Sequence, residues 1–249
     1  MTAIGRIAAE SGAAWRSFAR RKTAVFFTFF FPVILILIFG VLVQTGSGGG
    51  LFAEPPGYYV PGYLAVVVLF TPLSRIGHTV SRHRESNQFE KLVTTPLTRA
   101  EWLLAHTLVN VAIIGLASII ILVLVALLTG AGVALSSLPV VATFVAIGVA
   151  LFCGFGALLG SLASSQDGVI AASNGIALPL LFLSETFVPP EMLPAWFRPA
   201  MNLSPLTYFA RGVRNVTYAG TGAGTDLLVL TALAVAFFAA GAYAIPRTD

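Results

Sequence analysis

The sequence is short of nearly everything that soluble chemistry uses. Its 249 residues hold one cysteine, Cys153, set inside an apolar run. A lone thiol of this kind excludes a disulfide framework and a cysteine-built metal site. Charged residues make up only 10% of the chain, where an ordinary soluble domain carries roughly 25%. The histidines His78, His83 and His106 are too sparse for a ligand set. The acids are scattered, and neither HExxH nor GxSxG occurs. Lysine occurs only at Lys22, after Arg21, and at Lys91, after Glu90. A P-loop needs Gly-Lys, because the lysine must reach phosphates from a glycine-rich turn. That pair is missing here, so the driving force for any work must come from elsewhere.

What is present is oil. The chain is 57% hydrophobic, with a mean hydropathy of +0.91. Apolar stretches of about 20 residues span the hydrocarbon of a bilayer. Six candidates occur at 24–43, 58–76, 102–128, 138–162, 169–183 and 227–245. The fifth is short for a full crossing and holds Asn174 and Pro179. Pro32 and Pro72 lie inside the first and second and are expected to bend them. Tyr58, Tyr59 and Tyr63 open the second span as an interfacial belt. Gly156 and Gly160 form a GxxxG pattern in the fourth, which permits close helix approach. The expected fold is therefore an all-α integral membrane domain of six transmembrane helices.

Residues 1–22 read as an amphipathic surface helix. Ile4, Ile7, Ala8, Trp15 and Phe18 share one face, and Arg6, Glu10, Arg16 and Arg20 the other, with the basic face toward lipid headgroups. A signal peptide is disfavoured, because the apolar run at 24–43 is long for an h-region.

Two further segments carry the signals that are neither span nor simple loop. In residues 83–101, HRESNQFEKLVTTPLTRAE, Asn87 and Glu90 fit a capping box. Phe89, Leu92 and Val93 then fall on one helical face. Pro96 stops that helix, and Thr98 with Glu101 opens the next. The plain alternative is a solvated loop; the sharper one is a docking helix for a soluble partner. Residues 185–215 hold Pro189, Pro190, Pro194, Pro199 and Pro205 yet stay apolar through Trp196, Phe197, Leu206, Tyr208 and Phe209. Two short helices dipping into the membrane, the second from Ser204-Pro205, fit this pattern, and protein or a wet cavity must cover such backbone. Glu185 is an acid at a span end and a functional suspect for that reason, in a structural or gating role; His106 reads as a packed histidine.

Basic residues orient the spans. Counting lysine and arginine, eleven lie at the amino end, between Arg75 and Arg99 and at Arg247, against three on the other side, Arg198, Arg211 and Arg214. The positive-inside rule then puts both termini and residues 83–101 in the cytoplasm. The same placement accounts for the pI near 9.6 without any nucleic-acid partner.

The run Arg84-Glu85, Phe89-Glu90-Lys91-Leu92 and Thr95-Pro96-Leu97-Thr98-Arg99-Ala100-Glu101 resembles the cytoplasmic signature of ABC type-2 exporter permeases. Phe187-Val188-Pro189-Pro190, Leu193-Pro194-Ala195-Trp196 and Asn202-Leu203-Ser204-Pro205-Leu206-Thr207-Tyr208 resemble the outer re-entrant region of that family. The likeness covers nearly the whole chain. One departure is that Asn87-Gln88 stand where such permeases often have a glycine.

The resemblance implies a permease subunit in a homodimer or pseudo-dimer, joined to two separate ATPase subunits that bind ATP and Mg. The chain itself would hold no cofactor. Arg84, Glu85, Phe89, Glu90, Lys91, Leu92 and Arg99 would contact the ATPase through a coupling helix. Glu185, Pro189, Pro194, Trp196, Pro205 and Tyr208 would form the outer gate. The cargo would be an amphipathic or lipid-like molecule moved outward across the plasma (inner) membrane, among membrane lipids. A stand-alone secondary transporter is the alternative, and a lipid-modifying membrane enzyme a further one. The first lacks a midplane acid and a clear repeat; the second lacks a cluster of acids or histidines at one face.

Overall fold

The computed structural model describes residues 2–38, 54–187, 190 and 193–246, and all regular structure among them is helical. The order is α1 (Ala3–Ala19), α2 (Lys22–Ile36), α3 (Val60–Glu85), α4 (Gln88–Val93), α5 (Arg99–Thr129), α6 (Leu138–Leu162), α7 (Gln166–Phe182), α8 (Arg198–Met201), α9 (Pro205–Arg214) and α10 (Gly224–Ala244). Among the described residues, four helical segments are long and apolar enough to cross a membrane: Pro56–Glu85, Arg99–Thr129, Leu135–Leu162 and Gly224–Ala244. At 15 and 17 residues, α2 and α7 fall short of the usual crossing length of about 20. The far end of the first expected span, 39–43, lies outside the described residues, as do Val188 and Pro189.

The core is built around α3, which touches α5, α6, α7 and α9. Its apolar half is buried on every side, from Val60 through Leu69. In contrast α10 turns most of its surface outward. The tightest seam is α3 against α6. A side chain on Gly156 would reach 2.5 Å from the Leu73 carbonyl oxygen, and one on Gly160 would overlap the Gly77 carbonyl. The GxxxG spacing thus puts two backbones in contact, which removal of the Cβ alone permits. Gly154 does the same toward α10, at Phe237 and Phe238.

Three expectations change. Helix α3 runs on nine residues past the expected end of its span, from Ile76 to Glu85, and Pro72 sits inside it without interrupting it. Tyr59 and Tyr63 are buried rather than set in an interfacial belt. Tyr58 is half-buried and packs edge-on against Tyr218. The Val60 end of α3 is covered by protein, so its tyrosines meet other side chains.

Candidate functional site

The charged stretch is a helix, a reversal and two helix starts. Helix α3 ends at Glu85, and its last turn is tied to α6 and α7. The Arg84 guanidinium donates to the carbonyls of Gly160 at 3.1 Å and Ala163 at 2.9 Å. These carbonyls lie at the end of α6, where helix acceptors lack partners of their own. The Glu85 carboxylate accepts from the Gln166 amide at 3.0 Å, at the start of α7. Both residues were expected to meet a partner protein; both clamp the chain's own helices.

Asn87 does not cap α4. Its backbone is left-handed, φ 52° and ψ 31°, and its side chain makes no capping bond. Only asparagine, aspartate and glycine enter this region with little strain. The turn between α3 and α4 requires that conformation, and asparagine meets the requirement at the place where a glycine was the expected residue. The second start is as expected. Thr98 accepts from the Glu101 amide and Glu101 accepts from the Thr98 amide, a complete capping box.

Helix α4 has two unlike sides. Phe89 is buried, packed edge-on against His83 and Trp102. Leu92 is half-buried against the same core. Glu90 and Lys91 are exposed. Arg99 reaches the Tyr243 carbonyl at 2.8 Å and so joins the start of α5 to the end of α10. The helix is anchored by its aromatic face and presents a charged one.

Helix α1 sits differently from expectation. Arg6 does not face headgroups: its Nε donates to Glu101 at 3.2 Å and its Nη2 to the other carboxylate oxygen, a bidentate pair. Glu10 lies 3.2 Å from His106 Nε2, which in turn rests on Trp102, ring centres 4.1 Å apart. The His106 contact is the main cause that holds the Glu10 carboxyl below its usual range. Ser11 donates to the Ala105 carbonyl. Ala14 and Phe18 are buried, while Ile4 and Trp15 are exposed. Apolar moment alone hides this, because the docked face is partly polar.

At the other end of the bundle, the described residues of the 185–215 segment pack against α3. Glu185 is buried and paired with Arg211, whose Nε donates at 3.3 Å and whose Nη2 meets the second oxygen. Arg214 is also buried. It donates to the carbonyls of Glu185 and Thr186, and to that of Tyr58, whose ring it overlies at 4.0 Å. Pro205 is the first residue of α9, where its missing amide hydrogen costs nothing. Tyr208 donates to the Asn202 carbonyl at 3.0 Å. Trp196 is 79% exposed and Pro194 is exposed; Pro189 lies outside the described residues. Sequence reasoning missed Arg214 and its tie to Tyr58, which lies 156 positions away and leaves no local pattern. Among the described residues, no three His, Cys, Asp or Glu side chains converge to hold a metal.

The profile of the family described as ABC-2 type transporter matches residues 9–218. The chain is 28% identical over 217 residues to a daunorubicin resistance ABC transporter permease protein of Streptomyces coeruleorubidus, across 84% of this chain and 74% of that one.

Proposed function

This chain belongs to the ABC-2 type transporter family, and from that premise we propose that it is the permease subunit of an exporter driven by a separate ATPase. The two ATPase subunits bind ATP and Mg; this chain binds neither. A second permease chain, a copy of this one, completes the pathway. Each copy crosses the plasma membrane six times, through α2, α3, α5, α6, α7 and α10, with both ends in the cytoplasm. Helix α1 lies along the cytoplasmic surface. Residues 185–215 close the outer side as a re-entrant pair of helices, held by Glu185.

The observation that carries this reading is α4. A six-residue helix is far too short to be stable alone. Here it is pinned by Phe89 to Trp102 and flanked by the Arg84 and Glu85 clamps, while Glu90 and Lys91 stand clear. A push on its exposed face passes directly to α3, α5, α6 and α7. That is what a coupling helix seated on an ATPase has to do. The relative named for daunorubicin resistance supports a drug or lipid-like amphiphile as the cargo.

The test is purification of the chain from its native membrane, followed by transport in sealed vesicles. A bound ATPase subunit and ATP-dependent efflux of an amphiphile are the expected results. A chain that comes alone, and moves solute on an ion gradient without ATP, sinks the proposal. Topology is checked with single cysteines at Trp196 and Gln88, both exposed, against the background of the buried Cys153; labelling of both from the same side contradicts it.

A further inference from the structure

A cleft of about 720 Å³ opens between α1, α2 and α3, with His106 of α5 and Asn174 of α7 on its wall. That size suits a small ligand or a lipid headgroup. Its cations come from two elements. Arg21 lies at the α1–α2 junction, and α3 supplies Arg75 and Arg82. Arg75 and Arg82 are seven residues apart, so they stack on one helical face two turns from each other. The wall has one acid, Glu10, and it is engaged with His106.

Arg75 is the telling residue. Its guanidinium carbon lies 4.4 Å above the Phe18 ring. Its Nη1 is buried and has no hydrogen-bond partner among the described residues. A buried cation in this state is costly unless an anion joins it. Arg84, nine residues on, shows the contrast, because its guanidinium is taken up by two carbonyls.

The rest of the cleft is apolar. Phe27 and Phe31 of α2 and Phe70 of α3 border it, and Phe27 and Phe31 are exposed at its edge. Helices α1 and α2 pack chiefly on α5, so the cleft separates them from the basic face of α3. Free phosphate satisfies the arginines and leaves the phenylalanines bare. A molecule with an anionic head and an alkyl tail satisfies both.

We propose that this cleft holds an anionic phospholipid, its phosphate between Arg75, Arg82 and Arg21 and an acyl chain against Phe27 and Phe31. The lipid is drawn from the leaflet on which α1 rests. It fills the gap between the surface helix and α3, and so braces α1 and α2 against the core. The site depends on the geometry of the cleft and on residence in a bilayer, not on what the chain exports.

Native mass spectrometry of the purified full chain in neutral detergent tests this. The added probes are phosphatidylglycerol, phosphatidylcholine and inorganic phosphate. Phosphatidylglycerol is expected to remain bound roughly tenfold more than phosphatidylcholine, and Arg82→Gln and Arg21→Gln are each expected to cut that retention about fivefold, the usual worth of one arginine at an anionic lipid surface. Arg75→Gln should have the largest effect; the two rim variants keep the test valid if it does not fold. Millimolar phosphate should leave the bound lipid in place. Equal retention of the two lipids overturns the proposal, as does displacement by phosphate. An Arg20→Gln loss as large as that of Arg82→Gln also overturns it, since Arg20 is exposed and outside the cleft lining.

Discussion

The Phe89 ring stands edge-on to the Trp102 indole, centroids 5.4 Å apart, and the His83 ring packs on both. One aromatic junction thus joins the end of α3, the short α4 and the start of α5. His106 and Glu10 extend it to α1. Any force on α4 reaches α1 through four contacting side chains, without passing along the backbone.

Phe89→Ala should free α4 from this junction. Loss of the buried ring removes about 2 kcal/mol of docking energy, enough to expose the α4 amides to exchange by roughly thirtyfold. Hydrogen exchange at residues 88–93 reads this directly. ATP-driven transport should fall with it, while membrane insertion stays intact. Unchanged exchange protection would show that the ring does not hold the helix.

Glu90→Lys addresses the exposed side. The residue is exposed, so the melting temperature should not move. Association with the ATPase subunit should drop at least several-fold, and transport with it. Normal association and transport in this variant count against α4 as the docking element.

The α3–α6 seam makes a sharp steric prediction. Gly160→Ala drives a methyl into the Gly77 carbonyl, whereas Gly175→Ala on α7 meets open space. The first should destabilise the fold by about 1–3 kcal/mol, and the second should be neutral or stabilising by about 0.5–1 kcal/mol, because alanine favours a helix interior. Thermal melting in detergent compares them. Equal shifts in both variants would show that the seam is loose.

Glu185→Gln removes the charge that faces Arg211 and lies 3.9 Å from Arg214. The pair is partly exposed on the Arg211 side, so the expected cost is about 2 kcal/mol, between the limits for exposed and buried pairs. Limited proteolysis near residues 185–215 should accelerate. Arg214→Met at the same point should be worse, since three carbonyls lose their donor.

The Glu10–His106 contact brings a pH dependence of known sign. The His106 contact depresses the Glu10 carboxyl in the folded state below its ordinary value of 4.5. Its contribution to α1 docking is therefore complete above that ordinary value and is lost as pH falls through the depressed one. The thiol-reagent rate of a Ser11→Cys variant, divided at each pH by that of the same variant carrying Glu10→Gln so that the thiolate fraction cancels, should rise below about pH 4.5. A ratio independent of pH would remove the contact from the docking energy.

How much of this was legible follows the range of the interactions. The Thr98–Glu101 capping box, the stop at Pro96 and the start of α9 at Pro205 are local, and they stand where the spacing puts them. So does the GxxxG pattern, although its partner on α3 was not visible. Asn87 was misread because a capping asparagine and a left-handed one have the same sequence signature, and the needs of the α3–α4 turn choose between them. Arg6 and Glu10 were read as facing headgroups, and Arg84 and Glu85 as contacts to the ATPase. Each has its partner about eighty to a hundred positions away, and a polar face docked on protein looks like one facing headgroups.

The sequence by itself determined that this chain belongs in a membrane, that its apolar runs are helical, and where two helices must begin and one must stop. Those properties depend on hydropathy, on the geometry of proline and on side chains within four residues of one another. Only the tertiary structure decided which charges are bound and which are available. It tied Arg84, Glu85 and Arg99 to neighbouring helices as clamps, left Glu90 and Lys91 facing out, and set Arg75 beside an open cleft with an Nη1 that has no hydrogen-bond partner among the described residues. A buried charge is tolerable only where another part of the chain supplies its partner, and that depends on how the helices pack rather than on the order of residues along any one of them.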